Sequence, residues 1–308
     1  MNKNDSRILR NRKRRIARRL APRNWSDQSR PMFRATNIRY EMADRTRAVT
    51  AGGIGAIHLL AQRVGLVDAI DRSLPLLKRH LPYHESDHVL NIVYNIMAGH
   101  TRLEDLEILR HEESYAHLLG AQRIPDPTTA GDFLRRFGES DIERFMDGVN
   151  SLRTTLWSGR LSEIGARAVI DVDGVVTPTA GEKKAGMSLS YKGIWGYHPL
   201  LVSLANTREP LFIVNRPGNV PSHTDAPHWI DKAIEICRTV FTGVLLRGDT
   251  DFALTANFDR WTEAGVRFVF GYDACPNLVE LAKALPETAF RPLVRPPKHL
   301  VQTEPREK

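Results

Sequence analysis

The sequence predicts an α/β protein in two parts, an all-helical N-terminal domain followed by a mixed sheet flanked by helices. Three observations predict it. The hydrophobic period is helical from about residue 51 to 160 and turns strand-like near residue 166. From there four strand-like runs precede a helix and a β-α-β order follows, the order of a sheet domain rather than of a bundle. Charge is also divided: eleven Lys/Arg against Asp5 and Asp27 give residues 1–30 a charge of +9, while the rest of the chain, with 33 basic and 34 acidic side chains, carries −1.

A length of 308 residues suits about two domains, and 42% hydrophobic with 26% charged residues is an ordinary globular composition. No apolar run approaches the ~18–20 residues of a membrane span, and no signal-peptide pattern is present, so no membrane partner is expected. Cys237 and Cys275 fit neither a zinc-ligand spacing nor a disulfide framework, which makes a reducing cytoplasm the expected location.

Residues 1–45 are expected to be a basic, disordered arm. Arg12, Lys13, Arg14, Arg15, Arg18 and Arg19 are its candidates for neutralising DNA phosphates, which would make binding steeply salt-dependent. The helical domain spans 46–160. "SDHVLNIVYNIMAGH" starts at Ser86/Asp87, shows Val89, Ile92, Val93, Ile96 and Met97 at helical spacing, and stops at Gly99. Residues 101–120 repeat the scheme. A Thr128/Thr129 cap then opens a short amphipathic helix, and residues 140–158 form another. His80, His84 and His88 are spaced four apart, which on one helix would suggest zinc. Pro82 and the Ser86/Asp87 start interrupt such a helix, so these are read as surface histidines of the loop before it.

The sheet domain spans 161–275. Strands are expected at 167–176, 186–191, 199–206, 210–215, 243–247 and 266–271, with helices at 225–241 and 251–264. "YKGIWGYHP" (191–199) is read as a hairpin whose aromatics pack the core, with Lys192 as a DNA contact in the competing reading. Trp195, Tyr197 and Trp229 are taken as structural, and Gly218-Asn219 as a turn. Residues 276–308 are Pro-rich and polar, like the start of an insertion that breaks off.

The chemistry is carried by "ARAVIDVDGVV" (166–176), a buried-strand sequence holding Asp171 and Asp173. Unpaired carboxylates cost several kcal/mol in a core, so two in one strand imply a use. Strand alternation puts both on one face, or into the turn beyond. One reading is a haloacid-dehalogenase-type phosphatase, with Asp171 as nucleophile and Asp173 as general acid/base. Its closing acidic motif does not match "RGDTDFALTANFD", where Asp251 comes too soon and Asp259 too late.

The other reading pairs this strand with "GVLLRGDTDF" (243–252), which also ends on a carboxylate, Asp249. In a β-β-β-α-β fold of ribonuclease-H type the first and fourth strands are neighbours. Asp173 and Asp249 would then meet across 76 residues of sequence and hold divalent cations through oxygen. Arg247 could neutralise phosphate or hold Asp249, and Asp251 reads as a helix N-cap.

With both acidic strands in place, the chain resembles the DDE transposases of bacterial insertion sequences, in the ribonuclease-H-like group. The resemblance rests on "GGIGAIHLLAQRVGLVDAID", on residues 83–137, and on four ordered blocks: "IDVDGVV", "YKGIWGYHPLLV", "RPGNVPS" and "LLRGDTDF". It implies a first catalytic aspartate at Asp173, with Asp171 as its substitute, and a second at Asp249. It further implies Mg²⁺ or Mn²⁺ in a two-metal site, double-stranded transposon-end DNA as partner, a homodimer, and cleavage and strand transfer at phosphodiesters. Val175 stands where the family commonly has Thr. The third acid of such enzymes is a helical Glu well downstream. Glu280, Glu287, Glu304 and Glu307 lack that setting, so an incomplete copy, or a non-catalytic DNA-binding remnant, is expected.

Overall fold

The computed structural model describes residues 3–21, 23–35, 51–181, 184–292 and 294. Its N-terminal part is helical: α1 (Lys3–Leu20), α2 (Ile54–Arg63), α3 (Leu66–Ser73), α4 (Glu85–Met97), α5 (Leu106–His111), α6 (Glu113–Leu118), α7 (Pro127–Leu134), α8 (Glu139–Ser158) and α9 (Leu161–Ile164). The sheet domain follows as β1 (Arg167–Gly174), β2 (Thr177–Pro178), β3 (Ser188–Leu189), β4 (Trp195–Tyr197), β5 (Leu200–Leu204), β6 (Glu209–Val214), α10 (Ala226–Arg238), β7 (Gly243–Gly248), α11 (Phe258–Glu263), β8 (Arg267–Phe270) and α12 (Pro276–Lys283).

Several expectations change. The described part of the arm is helical through Leu20 rather than disordered. Its one body-facing edge is fixed by Arg15 Nη1 to Glu113 at 3.3 Å and by Arg19 Nη2, which donates to the Arg110 carbonyl at 2.6 Å. α4 begins one residue early. His84 occupies the N-cap, and Asp87, at the third helical position, accepts from the His84 backbone N–H at 2.9 Å. Its apolar stripe also faces outward, with Val93, Ile96 and Met97 exposed. The inner face is carried instead by Leu90, Tyr94 and two buried amides. Asn91 Nδ2 donates to the Pro125 carbonyl and Asn95 Nδ2 to the Arg102 carbonyl, which satisfies these donors, while both Oδ1 atoms are buried without a partner among the described residues. The 101–120 helix breaks at Glu112, whose extended backbone separates α5 from α6. α7 is capped by Asp126, which accepts from the Thr129 N–H, rather than by Thr128/Thr129. The 251–264 helix is two 3₁₀ turns followed by the short α11.

The sheet has strand order β6-β5-β1-β7-β8. β5 runs antiparallel to both β1 and β6, while β1, β7 and β8 run parallel. That is the ribonuclease-H-like arrangement: three sequential strands on one side, then a crossover through α10 that sets β7 against β1. β1 alternates as its sequence demands. Ala168, Ile170 and Val172 are buried with Val202, Leu204, Val244 and Leu246, beneath Ile230, Ala233 and Cys237 of α10 and Trp261 of α11. The opposite face carries Asp171, Arg247, Ile213 and Val269, the last two 54% and 62% exposed. A small second sheet, β2-β4-β3, hangs from the end of β1. The predicted 186–191 strand shrinks to two residues there, the 191–199 hairpin supplies β4, and β2 was not legible in the sequence.

α8 joins the two halves. Phe145 packs on the core of the helical domain, while Trp157 is buried in the core of the sheet domain. Asn150 Nδ2 donates to the Leu211 carbonyl at 2.9 Å, and Trp157 Nε1 donates to Glu209 Oε2 at 2.8 Å. Lys232 of α10 bridges Glu143 and Asp147 at 2.7 and 3.0 Å.

Candidate active site at the ends of two parallel strands

The buried apolar residues of β1 and β7 lead to Asp173-Gly174 and to Gly248-Asp249, and the pairing is parallel, so both strands reach the same edge of the sheet. The register aligns Asp171 with Arg247 and Val172 with Gly248. Asp173 and Asp249 each follow the last paired residue of the register, which puts both at the carboxyl edge of the sheet. Both are exposed. This is the edge of an open α/β sheet at which ligands bind.

The three candidate aspartates differ in what holds them. Asp171 is engaged by Arg247, with Nε to Oδ1 at 2.6 Å and Nη2 to Oδ2 at 2.7 Å. That fork holds the Arg247 guanidinium above its ordinary pKa through hydrogen bonding to Asp171. Arg247 therefore serves Asp171, not Asp249, and Asp171 is not a free nucleophile. Asp173 and Asp249 are paired with no cation among the described residues. Asp173 Oδ1 accepts from the Gly174 N–H at 2.7 Å, and Asp249 Oδ1 accepts from the Asp251 N–H at 3.0 Å. Asp249, rather than Asp251, is thus the cap of the 3₁₀ turn that follows β7. In each carboxylate Oδ2 stays outside these hydrogen bonds, which suits a hard divalent cation. Among the described residues no third His, Cys, Asp or Glu completes a three-ligand group with them. Glu280 lies on α12 and Glu287 on the 3₁₀ turn after it, both exposed; Glu304 and Glu307 lie outside the described residues.

Two neighbours escaped the sequence reading. A Cβ on Gly174 would lie 2.8 Å from His198 Nε2 and 3.0 Å from Ser222 Oγ, so the residue after Asp173 must be glycine unless these move. His198 is buried and cannot easily give way, because its Nδ1 donates to the Val220 carbonyl at 2.8 Å. Arg216 locks the same loop: its Nε donates to the His198 carbonyl, and its Nη1 to the carbonyls of Ser222 and Thr224. The signal was available in "GYHPLL" and "RPGNVPS", but a lone buried His announces no contact 24 residues away. The 217–220 turn forms as expected. Gly218 is required there, since its Cβ would fall 2.4 Å from the Ser188 carbonyl oxygen.

The hairpin beside this edge does not bury its aromatics as the sequence suggested. Tyr191 is 75% and Trp195 57% exposed, and Lys192 Nζ sits 5.2 Å from the centre of the Tyr191 ring. Strands of two and three residues are too short to close a core over them. Trp229, by contrast, packs against the sheet-domain core as expected. In the arm Arg12, Lys13, Arg14 and Arg18 are exposed, while Arg15 and Arg19 reach the helical body. The three histidines also depart from expectation: His84 and His88 are buried, and His88 stacks on Phe133 with ring centres 4.4 Å apart.

The profile of the transposase DDE domain group 1 family matches residues 34–302. The chain belongs to that family. No curated protein is significantly similar to it. Solved structures with some likeness include a piggyBac transposase synaptic complex with hairpin DNA, at 10% identity and a TM-score of 0.33, covering 77% of this chain and 54% of that one. Another is the Mos1 strand transfer complex, at 9% identity and a TM-score of 0.25, covering 78% of this chain and 85% of that one. This transposase-family chain thus spans about half the length of the piggyBac chain, and likenesses at this level carry no further argument. Among the described residues no helix is long and apolar enough to cross a membrane.

Proposed function

We propose that the chain performs the DNA cleavage and strand transfer of a transposase, with Asp173 and Asp249 as its metal-binding carboxylates. The observation that carries this reading is the contrast within the acidic strands. Asp173 and Asp249 end adjacent parallel strands with no cation paired to either, whereas Asp171 is neutralised by Arg247. Asp173 and Asp249 would hold Mg²⁺ or Mn²⁺. When bound, the ion activates a water or 3′-hydroxyl and offsets charge on the leaving oxygen of a phosphodiester. The chain's own part is to fix the two carboxylates. The Asp251 N–H orients one, and Gly174, wedged against His198, fixes the backbone of the other.

DNA would reach this edge past Lys192, Tyr191 and Trp195, an exposed cation with two aromatic faces suited to phosphate and unstacked bases. The exposed Arg12, Lys13, Arg14 and Arg18 of α1 would add sequence-independent phosphate contacts. The two-ended reaction suggests a homodimer as the working form.

The test is Mn²⁺ binding followed by electron paramagnetic resonance, run beside nicking of transposon-end DNA. Asp173→Asn and Asp249→Asn should each remove both signals, and Asp171→Asn should leave Mn²⁺ binding in place. DNA nicking that survives Asp173→Asn together with Asp249→Asn would overturn the site.

A further inference from the structure

The buried polar groups before α4 contain an unresolved electrostatic conflict. His84 Nε2 lies 2.8 Å from the Gln28 carbonyl oxygen. A carbonyl only accepts, so this nitrogen carries the proton. In the neutral ring Nδ1 then presents a lone pair, and what faces it is Asp71 Oδ2 at 3.9 Å. His80 repeats the pattern. Its Nε2 lies 3.2 Å from Glu85 Oε2, and its Nδ1 faces Asp27 Oδ1 at 3.8 Å. With Nε2 of each ring donating, to Gln28 in His84 and to Glu85 in His80, each neutral ring turns its Nδ1 lone pair toward a carboxylate, Asp71 and Asp27 respectively. None of the three carboxylates is ion-paired to a Lys or Arg among the described residues.

Burial makes this costly. Glu85 is 3% exposed and His84 8%. The scaffold nevertheless holds the acids in their charged orientation. Glu85 Oε1 accepts from the N–H groups of Leu76 and Leu77 at 3.0 and 2.8 Å, and Asp71 Oδ1 accepts from the Ser86 N–H at 2.8 Å. In each, one oxygen is fixed by backbone and the other is turned to the histidines, which is how outer hydrogen bonds orient metal ligands. His58, buried in the same domain, shows the contrast. Its Nε2 faces the Phe33 carbonyl, and its Nδ1 meets the Tyr94 hydroxyl at 2.8 Å, so the neutral ring is satisfied by protein alone.

We propose that His80, His84 and Glu85, with Asp71 at the rim, form a binding site for a divalent transition metal of the zinc class. Ligand atoms of the first three lie within 4.8 Å of one another. Mixed imidazole and carboxylate donors suit Zn²⁺, whereas Mg²⁺ prefers oxygen alone, so this site is chemically distinct from Asp173 and Asp249. The sequence reading set zinc aside because one helix cannot run through His80, His84 and His88. The structure meets the need differently: His88 leaves for the core, and the turn through Pro82 brings His80 onto His84. The two rings stack with centres 3.7 Å apart and planes 6° from parallel. An ion bonds in the plane of each ring, so loading must turn one ring out of the stack. His80, the more exposed of the two and the more loosely bonded, is the one free to turn.

The bound ion would tie the 80–85 turn at the start of α4 to Asp71 of α3, under the 27–28 segment. That segment already meets the loop through Gln28 N–H to the His80 carbonyl and His80 N–H to Asp27 Oδ1. The site therefore acts on the stability of the helical domain, not on the chemistry at the sheet edge.

The experiment titrates Zn²⁺ alone into the untagged, chelator-stripped full chain by calorimetry, with the thermal midpoint as a second readout and Co²⁺ absorption as a third. The expected result is one Zn²⁺ per chain bound in this way, a raised midpoint, and a visible Co²⁺ band. His80→Ala and Asp71→Asn, both at half-buried positions outside the packed core, should each weaken Zn²⁺ by about tenfold or more. The Asp173→Asn/Asp249→Asn double variant should bind Zn²⁺ at this site as before, which separates failure here from failure of the catalytic assignment. Absence of saturable Zn²⁺ binding, or equal affinity in folded His80→Ala, overturns the proposal. So does a midpoint that responds to pH and not to Zn²⁺, since a proton would then resolve the conflict.

Discussion

Asp171 and Arg247 face each other across the parallel β1–β7 pair and close a two-point ion pair at 2.6 and 2.7 Å. The pair sits on the open face of the sheet, about half exposed, two residues before Asp173 and Asp249. Its geometry decides between two chemistries. A phosphatase nucleophile needs an unengaged carboxylate, and Asp171 has both oxygens in the fork. Arg247→Ala should therefore cost little stability, about 1 kcal/mol or less for so exposed a pair. It should not create phosphomonoesterase activity. Urea unfolding and p-nitrophenyl phosphate turnover check both parts. Turnover appearing on release of Asp171 would return the phosphatase.

Gly174→Ala should impair the site without touching a carboxylate. The new methyl would meet His198 Nε2 at 2.8 Å, and the Val220 carbonyl holds that ring in place. Either the loop carrying Ser222 or the end of β1 must shift, and Asp173 is the adjoining residue. Mn²⁺ affinity and DNA nicking should fall at least about tenfold, since displacements near 1 Å can cost about a hundredfold in rate. His198→Ala in the same chain should restore part of the loss by opening the space. No restoration would mean that the contact is not what constrains the glycine.

The sheet was legible because β1 and β7 alternate cleanly and end on acids, and because β-β-β-α-β admits few topologies. The partner of Asp171 was not, since Arg247 sits two residues before Asp249 and only the register aligns it with Asp171. α4 was found but turned about its axis. Apolar periodicity points a helix inward, while here Asn91, Asn95 and Asp87 bury their polar groups on specific backbone partners. Hydrogen bonds to distant residues leave no periodic trace in a sequence. For the same reason His80 and His84 read as surface loop although a turn stacks them.

Asp87 shows how much such a partner can carry. Its carboxylate accepts from the N–H groups of Met32, Phe33 and His84 at 2.8, 2.9 and 2.9 Å, fixing the 32–33 segment on the start of α4. Burial still pushes its pKa up to about 6. Asp87→Ala would leave three N–H donors unpaired, each costing roughly 1–3 kcal/mol. Destabilisation of about 3 kcal/mol or more is expected by urea unfolding, and Asp87→Asn, which keeps one carbonyl acceptor, should lose less.

His88 predicts a pH dependence of the opposite sign. Burial, followed by the nearby Arg136, pushes its pKa down to about 4, and its Nδ1 is buried without a hydrogen-bond partner. The unfolded imidazole titrates near 6.5, so between about 6.5 and 4 the unfolded chain binds the extra proton. The contribution of His88 to stability is therefore complete above about 6.5 and is lost as the pH falls towards 4, at up to about 1.4 kcal/mol per pH unit. Asp87 works against it over part of that range, because its raised pKa makes the folded chain the better proton binder between about 4 and 6. The two separate by substitution. His88→Leu keeps an apolar neighbour for Phe133 and removes the orphaned nitrogen, so it should match the parent chain near pH 7 and exceed it in stability at pH 5. Parallel stability–pH curves for the two chains would show that His88 is not held neutral by its burial.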